Sequence, residues 1–309
     1  MINIFLYYLT KYLITGNSGL ERKDFQVTSG LEFFVIGHPI GHSMSPFIHK
    51  RLFELSGLKA VYSAVDIPPE KLGEELPSLL KKARGINVTI PHKQAVIPFL
   101  DALGDCAGLY QSVNTISIDE NGCFGYNTDA KGFVLALKGG GIPLKGRVAI
   151  LGCGGVGRTF ACEAAMAGCR IVNAVRESSR QKAENLRSFV LGLYPGTEYE
   201  IVEIGKLSGD FDLLINATPV GMYPNCGEMP VKEGVLSRVA AVFDSIYNPE
   251  ETMLLKAAKA CGARVLGGMP MLVMQAAHAH KIWYGAEFGR DDIRQLIEDS
   301  NIEMRNHFI

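Results

Sequence analysis

Three stretches before residue 130 set polar side chains of a substrate-binding kind among apolar ones. Gly85-Ile86-Asn87-Val88-Thr89-Ile90-Pro91-His92-Lys93 alternates Asn87 and Thr89 with aliphatics, so an amide and a hydroxyl share one face of a strand expected over 86–90. Asparagine is disfavoured in strands, which makes Asn87 informative. Lys93 follows at the start of an expected helix, where a cation sits badly against the helix dipole. Such an ammonium is either an acid–base group or a solvated charge. Upstream, Gly37-His38-Pro39-Ile40-Gly41-His42-Ser43-Met44-Ser45-Pro46 puts Ser43 and Ser45 just before a helix opened by Pro46. Hydroxyls at a helix N-terminus suit a carboxylate; plain N-capping by Ser45 is the alternative. The third stretch pairs Ser112-Val113-Asn114-Thr115 with Gly125-Tyr126-Asn127-Thr128-Asp129. There Asp129 either caps the next helix or faces a cleft.

A second kind of chemistry begins at residue 152. An apolar strand over 148–151 runs into Gly152-Cys153-Gly154-Gly155-Val156-Gly157, then a small-residue helix over 159–167 and a strand over 171–175. This is the G-x-G-x-x-G fingerprint in its strand–turn–helix setting, and it points to a dinucleotide. The first glycine permits the turn, the second lets backbone approach a pyrophosphate, and the third lets the helix pack closely. NAD enzymes place an acid about 20 residues on, to accept from the ribose 2′-hydroxyl. Here Val175 is followed by Arg176 and, further on, Arg180. Two guanidinium groups suit a 2′-phosphate, so NADP is expected over NAD. Glu177 keeps NAD open, and two solvated arginines are the bland reading.

These residues need elements to hold them. Strands are expected over 33–36, 61–65 and 86–90, with helices over 47–55 and 70–82, and the second series starts at 148. Strand–helix alternation implies an α/β fold with parallel strands and helical crossovers. The breaker cluster Lys138-Gly139-Gly140-Gly141-Ile142-Pro143-Leu144-Lys145 suggests a hinge near residues 129–141. Ile2, Phe5, Leu6, Leu9 and Leu13 fall at helical spacing in an N-terminal extension too short and too interrupted to span a bilayer. With 309 residues, two domains are expected. The balance of 31 basic against 32 acidic residues gives no cationic surface for nucleic acid. Seven scattered cysteines without a C-x-x-C pair indicate reduced thiols and a reducing, cytoplasmic setting. His38, His42 and His49 are separated by Pro39, Gly41 and Pro46, and His278 and His280 diverge on one helix, so no metal site is expected.

Taken in order over residues 33–289, these motifs resemble the shikimate dehydrogenase family. GHPIGHSMSP resembles its serine loop, NVTIPHK its lysine motif, and SVNT and GYNTD the next two blocks, with GCGGVGR as the cofactor loop. Asn216-Ala217-Thr218-Pro219-Val220-Gly221-Met222, Asp244-Ser245-Ile246-Tyr247-Asn248-Pro249 and the run from Gly267 to Ala277 complete the series. The resemblance implies a two-domain α/β fold, with an N-terminal substrate domain and a Rossmann-type NADP domain. Its C-terminal helices return to the substrate domain. The implied division is an extension over 1–30, a substrate domain over 31–129 plus 268–309, and a cofactor domain over 130–267. The implied activity is reversible NADPH-dependent reduction of 3-dehydroshikimate to shikimate. Lys93 would be the acid–base residue with Asp129 beside it, and Ser43, Ser45, Asn87, Thr89, Asn114, Tyr247 and Gln275 would hold the substrate. Gly152, Cys153, Gly154, Gly155, Val156, Gly157, Arg176 and Arg180 would hold the cofactor, with Asp105, Ser245 and Gly268 close to it. A small-molecule partner and a monomer or homodimer are expected. A quinate/shikimate dehydrogenase using NAD shares nearly all these motifs, and a catalytically silent metabolite sensor is the non-enzymatic rival.

Overall fold

The computed structural model describes residues 30–41 and 43–308. The helix expected over 2–13, and His42, lie outside them. Six strands make the first sheet: β1 (Leu31–Gly37), β2 (Ala60–Asp66), β3 (Gly85–Val88), β4 (Ala102–Leu103), β5 (Thr115–Asp119) and β6 (Gly122–Tyr126). Their order is β2-β1-β3-β5-β6-β4. β1 runs parallel to β2 and β3, whereas β3, β5 and β6 alternate in direction. The sheet is therefore mixed rather than all parallel. Only Glu120 and Asn121 separate β5 from β6, far too little chain for a crossover, so a hairpin is the only solution.

Around it pack α1 (Ser45–Ser56), α2 (Leu72–Lys82) and α3 (Asp105–Tyr110). α2 buries Leu72, Leu76 and Leu79, carries Glu74 and Glu75 in its first turn and ends on Lys81 and Lys82. That charge order complements the dipole. β3 ends at Val88, two residues short of expectation. The chain then enters a run of turns over 90–96, so Lys93 stands on a turn rather than a helix start. His92 pins that run, its Nε2 lying 2.6 Å from the Ile67 carbonyl.

The stretch expected to be a hinge carries α4 (Asp129–Gly139). Phe133, Ala136 and Leu137 fall at helical spacing and are buried, with Phe133 packed 4.3 Å from Phe160 between ring centres. The breaker glycines act only at its end, where Gly141 takes a φ of 64°.

The second sheet follows: β7 (Arg147–Leu151), β8 (Arg170–Val175), β9 (Tyr199–Glu203), β10 (Leu213–Asn216), β11 (Ala241–Asp244) and β12 (Arg264–Leu266). All are parallel, in the order β12-β11-β10-β7-β8-β9. The helices are α5 (Gly155–Met166), α6 (Arg180–Leu193), the short α7 (Glu233–Leu236) and α8 (Met253–Ala260). Both faces are covered, one by Phe133, Phe160 and Cys162 and the other by Leu236, Leu254 and Ala258. The strand order reverses between β7 and β10, where a crevice opens at the carboxyl ends of the strands.

The chain ends in α9 (Met269–Tyr284) and α10 (Arg290–Phe308), which return to the first sheet. Met269, Val273, Ala276, Ile293 and Leu296 pack with Met44, Ile48 and Leu52 of the α1 region. Trp283 donates to the Ile116 carbonyl at 2.9 Å. It occupies the space where any side chain on Gly85 would stand. Among the described residues no helix is long and apolar enough to cross a membrane.

Candidate active site and cofactor cleft

The Lys93 Nζ lies 2.6 Å from Asp129 Oδ2, with the two side chains 12% and 9% exposed. A nearly dry ion pair is favourable only when its remaining lone pairs are satisfied. Asn114, one residue before β5, does this by donating to Asp129 Oδ1 at 2.9 Å. The same amide reaches Thr128 Oγ1 at 2.9 Å and Gln275 Oε1 at 3.2 Å, and its oxygen accepts from the Thr128 N–H at 2.7 Å. Asp129 is the first residue of α4 and makes no capping bond. The Ala130 N–H is met by Asn127 Oδ1 instead, so Asp129 faces the cleft.

Gln275 comes from α9, far along the chain. α4 and α9 approach closely at Gly132, where a Cβ would come within 2.9 Å of Gln275 Cβ and of the Met271 carbonyl. A glycine at that crossing lets Gln275 join a group built from β5 and α4. Its Nε2 donates to the Leu272 carbonyl, which aims Oε1 at Asn114 and Thr128.

The polar network continues outward. Thr115 Oγ1 lies 3.1 Å from Asn87 Nδ2, and the Tyr62 hydroxyl donates to Asn87 Oδ1 at 2.7 Å. Tyr62 is also hydrogen-bonded to the Ser45 side chain, and burial holds its phenol well above the usual range. Its ring stacks on His49 at 4.1 Å. His49 and His280 bond to each other at 2.8 Å. Burial pushes His280 down to about 3 and His49 well below its ordinary value, with His280 adding to the latter. Both imidazoles are thus uncharged packing elements at neutral pH.

Ser45 opens α1 but does not cap it; Ser43 Oγ accepts from the Ser45 N–H at 3.2 Å. Capping by Ser45 is thus not what the structure has, and its hydroxyl turns to Tyr62. Tyr247, just beyond β11, is hydrogen-bonded to the Met44 backbone between the two serines. Thr89 lies past the end of β3, and its methyl packs where a Cβ on Gly37 would fall.

Across the cleft, the turn after β7 has the shape a pyrophosphate requires. Gly152 has a φ of 94°, and a Cβ there would meet Thr218 Cγ2 at 2.9 Å. A Cβ on Gly157 would lie 3.0 Å from the Gly152 carbonyl, whereas Gly154 faces open space. Asn173 Nδ2 donates to the Ile150 and Gly152 carbonyls at 3.0 and 2.8 Å and fixes the turn. α5 begins at Gly155, so unpaired N–H groups and the positive helix end face the space above Gly154. These features fit a dinucleotide phosphate. Cys153 is buried and Val156 partly so; burial raises the Cys153 thiol, which keeps it from competing as an anion.

This turn and the ion pair share one crevice. A Cβ on Gly155 would stand 4.0 Å from Lys93 Cδ. Arg176 lies exposed just past β8, and Arg180 opens α6 with its Nε 3.3 Å from Glu184 Oε1. Gly268 packs directly on Ser245, whose carbonyl a Cβ there would strike at 2.4 Å. Asp105 opens α3, and its side chain lies outside the described residues.

The polar residues of the two later motifs brace the cleft floor. Buried Asp244 accepts from Asn216 Nδ2 at 3.0 Å, the Ile246 N–H at 3.1 Å and Thr252 Oγ1 at 2.7 Å. Burial pushes its carboxyl up to about 6 against those donors. Asn216 Oδ1 in turn accepts from the Thr218 N–H and hydroxyl. Three residues of the polar network were not singled out by sequence reasoning: Tyr62, Thr115 and Thr128. Thr115 and Thr128 sit within the polar motifs flanking Asn114 and Asp129, so the signal existed. Tyr62 is a lone tyrosine in an alternating strand, with nothing local to mark it.

Known proteins bear on this arrangement. A family model described as the shikimate dehydrogenase substrate binding domain matches residues 35–116. A shikimate dehydrogenase (NADP(+)) of Caldanaerobacter subterraneus subsp. tengcongensis is 36% identical over 269 residues, covering 86% of this chain and 95% of the relative. A solved shikimate dehydrogenase in complex with NADP+ aligns with a TM-score of 0.80 at 37% identity, covering 87% of this chain and 95% of that one. The shikimate 5-dehydrogenase of Thermus thermophilus, in complex with NADP(H) and shikimate, gives 0.77 at 35% identity, covering 87% and 99%. Identity at this level, sustained over nearly the full length of the relatives, places this chain in the shikimate dehydrogenase family.

Proposed function

We propose that the chain catalyses the reversible NADPH-dependent reduction of 3-dehydroshikimate to shikimate, with Lys93 as acid–base residue and Asp129 as its partner. The observation that carries this reading is the Lys93–Asp129 pair set beside Gly155 at the mouth of a dinucleotide turn. When bound, the dinucleotide supplies the hydride. The protein must then orient the ring ketone and deliver a proton to the emerging alkoxide.

Lys93 Nζ is the proton donor. Asp129 holds it in place, and Asn114, itself bonded to Gln275, fixes Asp129 in turn. General acid catalysis of this kind contributes about 10²–10⁴ in rate. Ser43 and Ser45 at the start of α1 would take the substrate carboxylate, where neutral donors and the helix end bind an anion. Asn87, Thr89, Asn114, Tyr247 and Gln275 would pair its hydroxyls. A site built that way rejects an analogue lacking one hydroxyl by about 10⁴. Gly152 to Gly157 would hold the pyrophosphate, and Arg176 and Arg180 the 2′-phosphate, with Asp105, Ser245 and Gly268 near the cofactor. Residues 31–129 with 268–309 then form the substrate domain and 130–267 the cofactor domain. Seven thiols outside any disulfide support a reducing, cytoplasmic setting.

The test is to mix the protein with 3-dehydroshikimate and follow consumption of NADPH and NADH by nicotinamide absorbance. Rapid loss of NADPH and slow loss of NADH are expected. Preferred turnover of quinate with NAD would transfer the chain to the quinate-active branch. Binding without turnover would make it a sensor.

A further inference from the structure

We propose that Tyr110 and Glu163 are a positioning pair that holds the cofactor helix α5 in register with the segment carrying Asn114 and Lys93, and that the proton on Glu163 controls how firmly. The inference rests on the dehydrogenase reading above. Tyr110 ends α3, on the first-sheet side of the molecule, yet its ring lies in the core of the second sheet with Ala130, Phe133 and Phe160. Its hydroxyl donates to Glu163 Oε1 at 2.7 Å. Both residues are almost wholly buried, at 1% and 3% exposure. The Tyr110 carbonyl accepts from Arg158 Nε at 2.7 Å, and that guanidinium lies over the Phe189 ring at 3.6 Å. One residue of the substrate side thus grips α5 at two points.

Both ends of this grip lead to the reacting groups. α5 starts at Gly155, against Lys93. Beyond Tyr110 the chain turns at Gln111, with a φ of 49°. The Val113 N–H then donates to the Lys93 carbonyl at 2.8 Å, and Asn114 clamps Asp129. Packing alone asks only for a hydrocarbon at position 163. A buried carboxyl needs partners and answers to pH.

Titratable and charged groups surround the pair from several elements. Tyr110 and Cys106 come from α3, Arg158 and Cys162 from α5, Lys131 from α4 and Tyr194 from just beyond α6. Burial pushes Glu163 up to about 7, with the Tyr110 bond and the Lys131 charge pulling it back. Burial holds the Cys162 thiol near 12 and the Tyr110 phenol far above its usual range. Glu163 is thus poised to change charge near neutrality while Cys162 and Tyr110 stay neutral. Ionised, it accepts a stronger bond from Tyr110 but places a charge in an apolar core, and that cost favours admission of water and a looser α3–α5 contact. Displacement of reacting groups by about 1 Å costs on the order of a hundredfold in rate.

The test compares kcat and KM for 3-dehydroshikimate reduction against pH in the parent protein, Glu163→Gln and Tyr110→Phe. NADPH binding is followed separately by nucleotide fluorescence, and heat denaturation reports folding. The parent should lose about tenfold in kcat from pH about 6 to about 8.5. Glu163→Gln keeps an acceptor for Tyr110 and should match the parent within about twofold at low pH while losing that decline. Tyr110→Phe should lower kcat about tenfold at low pH and leave KM for 3-dehydroshikimate within about twofold. A Glu163→Gln profile identical to the parent's, or an unchanged kcat in Tyr110→Phe, overturns the proposal. Absence of turnover in all three proteins would instead strike the dehydrogenase reading. NADPH affinity that varies with pH in the parent but not in Glu163→Gln would then uphold the pair, and equal pH dependence would end it.

Discussion

Replacing Asn114 by alanine removes the amide on which the whole site turns, and the structure sets the size of the effect. The change deletes the 2.9 Å donor to Asp129 Oδ1 and the 2.7 Å acceptor of the Thr128 N–H. A hydrogen bond to a charged group contributes about 1.5–3 kcal/mol, and orphaning a buried backbone donor costs about 1–3 kcal/mol. Both losses occur at a residue only 3% exposed, where water does not easily substitute. The two together come to about 2.5–6 kcal/mol, against a total stability of about 5–15 kcal/mol for a typical protein. At about 2–4 °C per kcal/mol, the melting temperature should fall by about 5–24 °C. The freed carboxylate also loses its fixed orientation toward Lys93, so kcat should drop by about a hundredfold. Calorimetry and steady-state turnover on the same sample measure both. A variant melting within about 2 °C of its parent and turning over within about twofold would refute the clamp.

Three further outcomes follow from other parts of the molecule. Arg176→Ala should raise KM for NADPH by about tenfold to a hundredfold, from loss of a charge-assisted contact of about 1.5–3 kcal/mol, and leave KM for NADH within about threefold. Equal losses for both nucleotides would deny it the 2′-phosphate. Gly152→Ala forces an L side chain to a φ of 94° and against Thr218, so it should lower stability by about 1–3 kcal/mol and weaken NADPH binding; unaltered binding would exclude that turn from the cofactor site. Glu163 sits near 7 when folded and about 4.3 when unfolded, so the folded state holds the extra proton between those values. Stability should therefore fall by on the order of 3 kcal/mol as pH rises from about 4.3 to 7 and level off above. Glu163→Gln should remove that slope in denaturant titrations, and parallel curves for the two proteins would contradict it.

What can be read from the sequence is mostly local. The glycine turn at 152–157 reads directly because its strand, turn and helix are contiguous, and the structure has them as β7, the turn and α5. The meeting of Lys93 with Asp129 depends on residues 36 apart in sequence, and only the family resemblance points to it. The alternation through Thr89 and Ile90 lengthens the strand over 85–88 by two residues on paper, while the chain has already turned. The glycines near 140 mask the helix before them, which the helical spacing of the buried Phe133, Ala136 and Leu137 carries over residues 129–139. Tyr62 with Asn87, and Tyr110 with Glu163, are partnerships between distant elements. No periodicity or spacing carries that information.

Single-turnover hydride transfer in Lys93→Ala, with 3-dehydroshikimate and NADPH both saturating, puts the question most sharply. The rate should fall by about 10²–10⁴ while the dissociation constants of both ligands move by less than about threefold, because the ammonium acts chiefly on the proton transfer. Transfer at the parental rate in a correctly folded variant would remove Lys93 from the chemistry, and with it the catalytic role of the cleft it shares with Asp129.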